Sequence, residues 1–289
     1  MPRALAATVV ALALAPAGAA AQTPLERFVP VVVHDSRETS PLTSAAAVAG
    51  RVPGVPEGVP EPTVYGRRSG EWLQYWMFFA QQDQDRGILR TGRHAGDWEV
   101  VQYAVRDGVL IRGVYSQHRG AERCPAPAIR STARGRPLVF LAHGSHAAYF
   151  VPGVRDRMWP DPNDEADGKG LRVRPRLVRI SAGEPPWMTY GGRWGGADAS
   201  FIPGEADSPR GPAFQPSGRW SDPTAWARSA RSCTREDCNA VGECDQPETA
   251  LAGGLALGAA LLALLYGWRR SRRAIAPEDA EATPPPAGR

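Results

Sequence analysis

Apolar and polar positions along this chain fall into short runs rather than helical stripes. Residues 28–34, 72–79, 97–105, 109–118, 137–143 and 171–180 alternate, or crowd together aromatic and β-branched side chains. A period of two marks a strand with one buried face, whereas an amphipathic helix would need apolar positions three and four apart. Arg106-Asp107-Gly108 sits between two of the runs and predicts a tight hairpin. Gly- and Pro-rich stretches separate the others, so the series predicts a mainly β fold, an antiparallel β-sandwich with long loops. Residues 51–62 (RVPGVPEGVPEP) read as an extended surface connection. Residues 201–231 read as loop with a short helix near 223–230.

The two ends depart from this pattern. Residues 1–21 place one Arg before an apolar run that closes on small residues, which predicts a signal peptide cleaved after Ala21. Residues 250–268 carry 19 positions without a charge. As a helix they reach roughly 28 Å, the thickness of a bilayer core, and predict one transmembrane helix. Arg269, Arg270, Arg272 and Arg273 follow at once, so the positive-inside bias puts the tail 269–289 in the cytoplasm and residues 22–248 outside. The expected organisation is an exported sandwich over 22–232, a Cys-containing stalk over 233–249, the span, and a Pro-rich disordered tail. The protein is thus expected at the cell membrane as a single-pass protein. The alternative is cell-wall anchorage, because Gln246-Pro247-Glu248-Thr249-Ala250 resembles a degenerate sorting signal.

Composition narrows the classes. The 289 residues carry a net charge of +4, but residues 22–248 hold 28 basic and 27 acidic side chains. A nucleic-acid-binding domain needs a basic field that this stretch lacks, so no nucleic-acid partner is expected. Cys124, Cys233, Cys238 and Cys244 make an even number in an oxidising compartment and predict two disulfides with three connectivities open.

Two stretches carry chemistry. In Gly92-Arg93-His94-Ala95-Gly96-Asp97-Trp98-Glu99, Asp97 and Glu99 share a strand face, and Gly96 lets His94 fold back over them. Two carboxylates that close repel unless a cation or proton intervenes, so the cluster predicts a hard-cation or acid–base site. The competing reading is a solvated strand end whose acids pair with Arg93 or Arg112. In the second stretch, an apolar run ends at His143-Gly144-Ser145-His146. The G-x-S-x-G elbow of a serine nucleophile is absent, so His146 is the better candidate for metal or proton chemistry. His118, at the end of another run, can approach the same place. His34 and Asp35 read as ordinary surface residues. The acidic loop 161–168 fails the EF-hand pattern and reads as solvated, with Asp164 and Asp167 as the two acids that could join the cluster.

The series LQYWMFFAQQD, GRHAGDWEVVQ, VYSQHRG and PLVFLAHGSHAAYF resembles the vacuolar protein sorting-associated protein 62 family over residues 65–226. A more distant likeness is to the necrosis- and ethylene-inducing secreted toxins, β-sandwich proteins whose histidine-rich heptad holds a divalent cation near a sugar-headgroup pocket. By position that resemblance implies His94, Asp97, Glu99 and Asp83 as metal ligands. Gly96 and Gln82 depart from the toxin pattern, so it implies a cation site more than a toxin. The cation implied is Ca²⁺, Mg²⁺ or Mn²⁺, and the imidazole also admits Zn²⁺. The leading expectation is a membrane-anchored surface protein binding the cation and, through it, a polar glycan or lipid headgroup. One alternative is a metal-dependent hydrolase in which His146 or His118 moves protons and Arg93 or Arg112 steadies an anionic substrate. The other is a structural envelope protein.

Overall fold

A computed structural model describes residues 22–84, 93–157, 161–195, 208–233 and 247–274. The expected signal peptide, Cys238, Cys244 and the tail beyond 274 lie outside the described residues. In chain order the first strands are β1 (Val31–Val33), β2 (Thr63–Ser69), β3 (Trp72–Gln82), β4 (His94–Arg106), β5 (Val109–Gln117) and β6 (Gly120–Pro125). They are followed by β7 (Leu138–Leu141), β8 (Ala148–Tyr149), β9 (Gly153–Arg155) and β10 (Asp164–Ala166). The last strands are β11 (Arg172–Val173), β12 (Arg176–Arg179) and β13 (Arg231–Ser232), and the α-helices are α1 (Pro24–Arg27), α2 (Pro223–Ser229) and α3 (Pro247–Ala274).

The fold is mainly β, as expected. Strands β2 to β6 form an antiparallel meander, and the full sheet has the order β12-β2-β3-β4-β5-β6-β13. A four-stranded sheet, β11-β1-β7-β8, packs on one face of it. Val32, Val139 and Leu141 from the small sheet meet Tyr75, Met77, Phe79, Val101, Tyr103 and Tyr115 from the large one. The other face of the large sheet is also covered. Trp76, Phe78, Trp98 and Val100 lie under Trp187, Met188, Trp194 and Trp226, which come from the loop-rich C-terminal half. Burial on both faces explains why 72–79 reads as a continuous apolar run rather than an alternating one.

Several features differ from expectation. β1 pairs in parallel with β7, β12 with β2 and β13 with β6, so the sheets are mixed. Strands β2 and β6 fall outside the predicted runs because their polar residues, including Arg67 and Glu122, are buried in place. The single run 171–180 divides between the two sheets at Arg174-Pro175, where Pro has no N–H to donate to a ladder. Among the described residues no helix is long and apolar enough to cross a membrane, so the structure does not support the span expected over 250–268. Helix α3 covers that segment and leaves Leu255, Leu257, Leu261, Leu262, Leu264, Leu265, Tyr266 and Trp268 exposed. One disulfide joins Cys124 of β6 to Cys233 just after β13, with the Cα atoms 5.3 Å apart.

Candidate functional site

The site is built where β4 begins, where β7 ends, and where the 34–38 segment leaves β1. Gly96 (φ +74°), the third residue of β4, takes a left-handed conformation where a Cβ would stand 3.0 Å from the carbonyl oxygen of Trp194. Asp97 and Glu99 then register opposite Phe79 and Met77 of β3. After β7, Gly144 adopts φ +67° against the backbone of Asp83, and His146 follows with φ +56°. A non-glycine residue in this region carries strain that the surroundings must hold, and such positions concentrate at functional sites.

That turn buries His146 completely, stacked 3.9 Å from the ring of Phe79. Its Nδ1 lies 3.0 Å from Asp97 Oδ2, and its Nε2 lies 3.5 Å from Glu38 Oε1, a charge contact too long for a good hydrogen bond. Burial alone would lower the imidazole's affinity for a proton, but the contacts with Asp97 and Glu38 win and push His146 up to about 9. Glu38 is pushed down to about 2 in spite of its own burial, chiefly by His146, with the amides of Gly144 and Ser40 donating to its oxygens. The centre is therefore an imidazolium between two carboxylates. Glu99 behaves in the opposite way. Burial, then the charge of Asp97, pushes it up to about 7, while Ser116 donates a hydrogen bond to its carboxylate.

A second cluster adjoins through Ser145. Asp164 of β10 is buried and accepts hydrogen bonds from Ser145 Oγ at 2.7 Å and Tyr149 Oη at 2.6 Å. His118 Nε2 also meets it at 2.7 Å. His118 (φ +51°) keeps about a quarter of its side chain exposed at a pocket of about 420 Å³. Arg119, Arg155, Arg157, Arg231 and Tyr149 share the lining. Its Nδ1 makes no hydrogen bond among the described residues, so that nitrogen is available to a ligand. Arg219 supports both clusters from behind. It is buried, donates to the carbonyls of His118 and Gly120, and its charge favours ionised Glu99.

The predicted site residues meet different fates. His146, Asp97 and Glu99 are brought together, and His118 arrives nearby, as expected. His94 Nδ1 turns to the carbonyl of Gly96 at 2.8 Å, and Asp83 pairs with Arg93 at 2.5 Å. Among the described residues no three His, Cys, Asp or Glu are grouped so as to hold a metal ion. Arg112 lies at the far end of β5, roughly 24 Å along the strand pair from Asp97, and lines a cleft with Cys124 and Cys233 instead. His34 and Asp35 are 1% and 2% exposed, which corrects their reading as surface residues. His34 leaves the central strand of the small sheet and is pushed down to about 4 by burial, then by the charge of His146. Asp35 accepts from the amide of Asp167 and pairs with Arg37. The acidic loop does lend Asp164, which is buried rather than solvated. Glu38 and Arg219 were missed, because each lies in loop sequence that matches no metal or catalytic motif.

No family model matches the chain, and no curated protein matches it. Solved structures give a faint likeness in fold. Necrosis and Ethylene inducing Protein 2, from the causal agent of cocoa's witches' broom disease, has 14% identity and a TM-score of 0.34, over 58% of this chain and 77% of its own. The non-toxic HaNLP3 protein has 15% identity and a TM-score of 0.32, over 55% and 75%. NLPPya in complex with glucosamine has 12% identity and a TM-score of 0.33, over 54% and 70%. Scores at this level carry no functional argument.

Proposed function

We propose that this chain is a ligand-binding protein whose pocket beside His118 takes a polar glycan or headgroup bearing a negative group. One observation supports the reading above the others: a part-exposed imidazole, held by a buried Asp164, opens on a pocket of about 420 Å³ whose wall carries four arginines against Asp156, Asp161 and Asp164, with Arg157 paired to Asp161. Arg119 has no ion pair among the described residues, so its charge is available to an incoming anion. Guanidinium groups suit planar or tetrahedral oxyanions, and the hydroxyl and imidazole groups suit sugar hydroxyls. Export by residues 1–21 and anchorage by residues 250–268 belong to the same proposal. A reporter fused after Arg289 should then lie in the cytoplasm. The binding test is an array of acidic glycans and headgroup analogues probed with wild type, His118→Ala and Arg119→Ala. Loss of binding by tenfold or more in both variants, with Tm unchanged, supports the pocket. Equal binding by all three sinks it.

A divalent cation on His94, Asp97, Glu99 and Asp83 is a second proposal. It is favoured by one observation: Asp97 and Glu99 are both buried, and burial with the Asp97 charge pushes Glu99 up to about 7. A cation would relieve that repulsion. Calorimetric titration with Ca²⁺, Mg²⁺, Mn²⁺ and Zn²⁺ should show saturable binding that Asp97→Asn abolishes. Flat titrations with all four metals would end this reading.

A further inference from the structure

At the opposite end of the small sheet from His146, the turn before β7 faces the connection between β11 and β12. A cleft of about 350 Å³ lies there, lined by Thr132, Ala133, Arg134, Arg136, Arg174 and Pro175. Three guanidinium groups share this lining and no carboxylate does. Arg134 and Arg174 make no ion pair among the described residues, and the Arg136 guanidinium donates only to the carbonyl of Val29, at 3.4 Å. Like charges held together without counterions repel, and an oxyanion between them removes that cost.

The backbone beneath is fixed rather than loose. The Thr132 amide donates to the Arg136 carbonyl at 2.8 Å, the Gly135 amide to the Thr132 carbonyl at 2.8 Å, and the Arg136 amide to Thr132 Oγ1 at 3.2 Å. The carbonyl of Pro137 accepts from Val31 as the sheet begins, and Pro175 is buried beside Arg174. The arginines are therefore presented from a preformed turn, which limits the ordering cost of binding.

We propose that this cleft is a second binding site, separate from the His118 pocket, and that it takes a phosphate group. Three guanidinium groups offer paired N–H donors to several oxygens at once, the demand of a phosphate more than of a single carboxylate. The phosphate can be free or carried by a lipid headgroup, and the two sources are distinguishable.

The test uses the purified full chain with pyrophosphate as probe, at low and at moderate salt. Saturable binding is expected, weakening as salt rises and falling at least tenfold in the Arg134→Ala/Arg174→Ala double variant. Both side chains are exposed, so that variant should keep its Tm. The same comparison is made on a His118→Ala/Arg119→Ala background, where the fall in pyrophosphate binding caused by Arg134→Ala/Arg174→Ala still reports this cleft, which separates failure here from failure of the His118 pocket. Phosphatidylglycerol vesicles that compete with pyrophosphate, where phosphatidylcholine vesicles do not, assign the phosphate to a headgroup. Pyrophosphate binding without such competition assigns it to a free phosphate. No saturable binding, or binding that the double variant retains in full, overturns the proposal.

Discussion

At the scale of single residues, the Glu38, His146 and Asp97 contacts set a pH signature. His146 is raised from 6.5 to about 9, so its contribution to stability is complete below 6.5 and lost as pH rises through 9. Glu99 is also raised, from 4.5 to about 7, so what it contributes is complete below 4.5 and lost by 7. Glu38 is lowered to about 2, so its contribution is present above 4.5 and lost as pH falls toward 2. His34 is lowered from 6.5 to about 4, so its contribution is present above 6.5 and lost toward 4, which offsets Glu99 between 4.5 and 6.5. Together the four groups place the most stable range between about 4.5 and 6.5, with a decline on both sides. Thermal melts from pH 3 to 10 should show that dome, and His146→Gln should remove the fall between 6.5 and 9; an unchanged alkaline limb in the variant would refute the assignment. Asp97→Asn leaves a buried imidazolium short of one partner and should cost about 3–5 kcal/mol by chemical denaturation. The sequence carried half of this centre. Asp97, Glu99 and His146 stand in recognisable clusters, whereas Glu38 is one acid in a loop and gains its role only because the chain after β1 passes beside the β7 turn.

At the scale of elements, the meander was legible because β3, β4 and β5 carry dense apolar runs and the Asp107-Gly108 turn between them. The parallel edge strands were not, since β12 and β13 are short, charged segments whose partners lie more than a hundred residues away. The turn between β7 and β8 is the element on which the site depends. A Cβ on Gly144 would stand 2.8 Å from the carbonyl oxygen of Asp83, at a φ of +67° that side chains rarely adopt. Gly144→Ala should therefore cost more than about 1 kcal/mol and move both Ser145 and His146. Ligand binding at the His118 pocket should fall with it, through the lost Ser145 hydrogen bond to Asp164. A variant with wild-type Tm and wild-type binding would show that the turn tolerates the change.

At the scale of the whole molecule, net charge was a poor guide to local field. Residues 22–248 are almost neutral, yet folding brings Arg134 and Arg136 next to Arg174, a grouping invisible where 37 residues intervene between Arg136 and Arg174. The described side chains from 257 to 269 on helix α3 are nearly all exposed, so the β-rich part owes little to it. Removing residues 247–289 should leave the Tm within about 2 °C, and a large drop would reveal packing against the sheets. The Cys124–Cys233 bond has a different consequence when the chain is pulled from its ends. A load applied beyond residue 233 enters β6 directly through the covalent bridge, and the 109-residue separation it closes bears no tension. Stretching the oxidised protein should release about 380 Å less contour length than stretching the reduced one, at the roughly 3.5 Å that each extended residue spans. Helix α2, the small sheet's β7 and β8, and the pocket wall from β9 and β10 all lie inside that loop, so a tug on the C-terminal segment would leave them shielded from force.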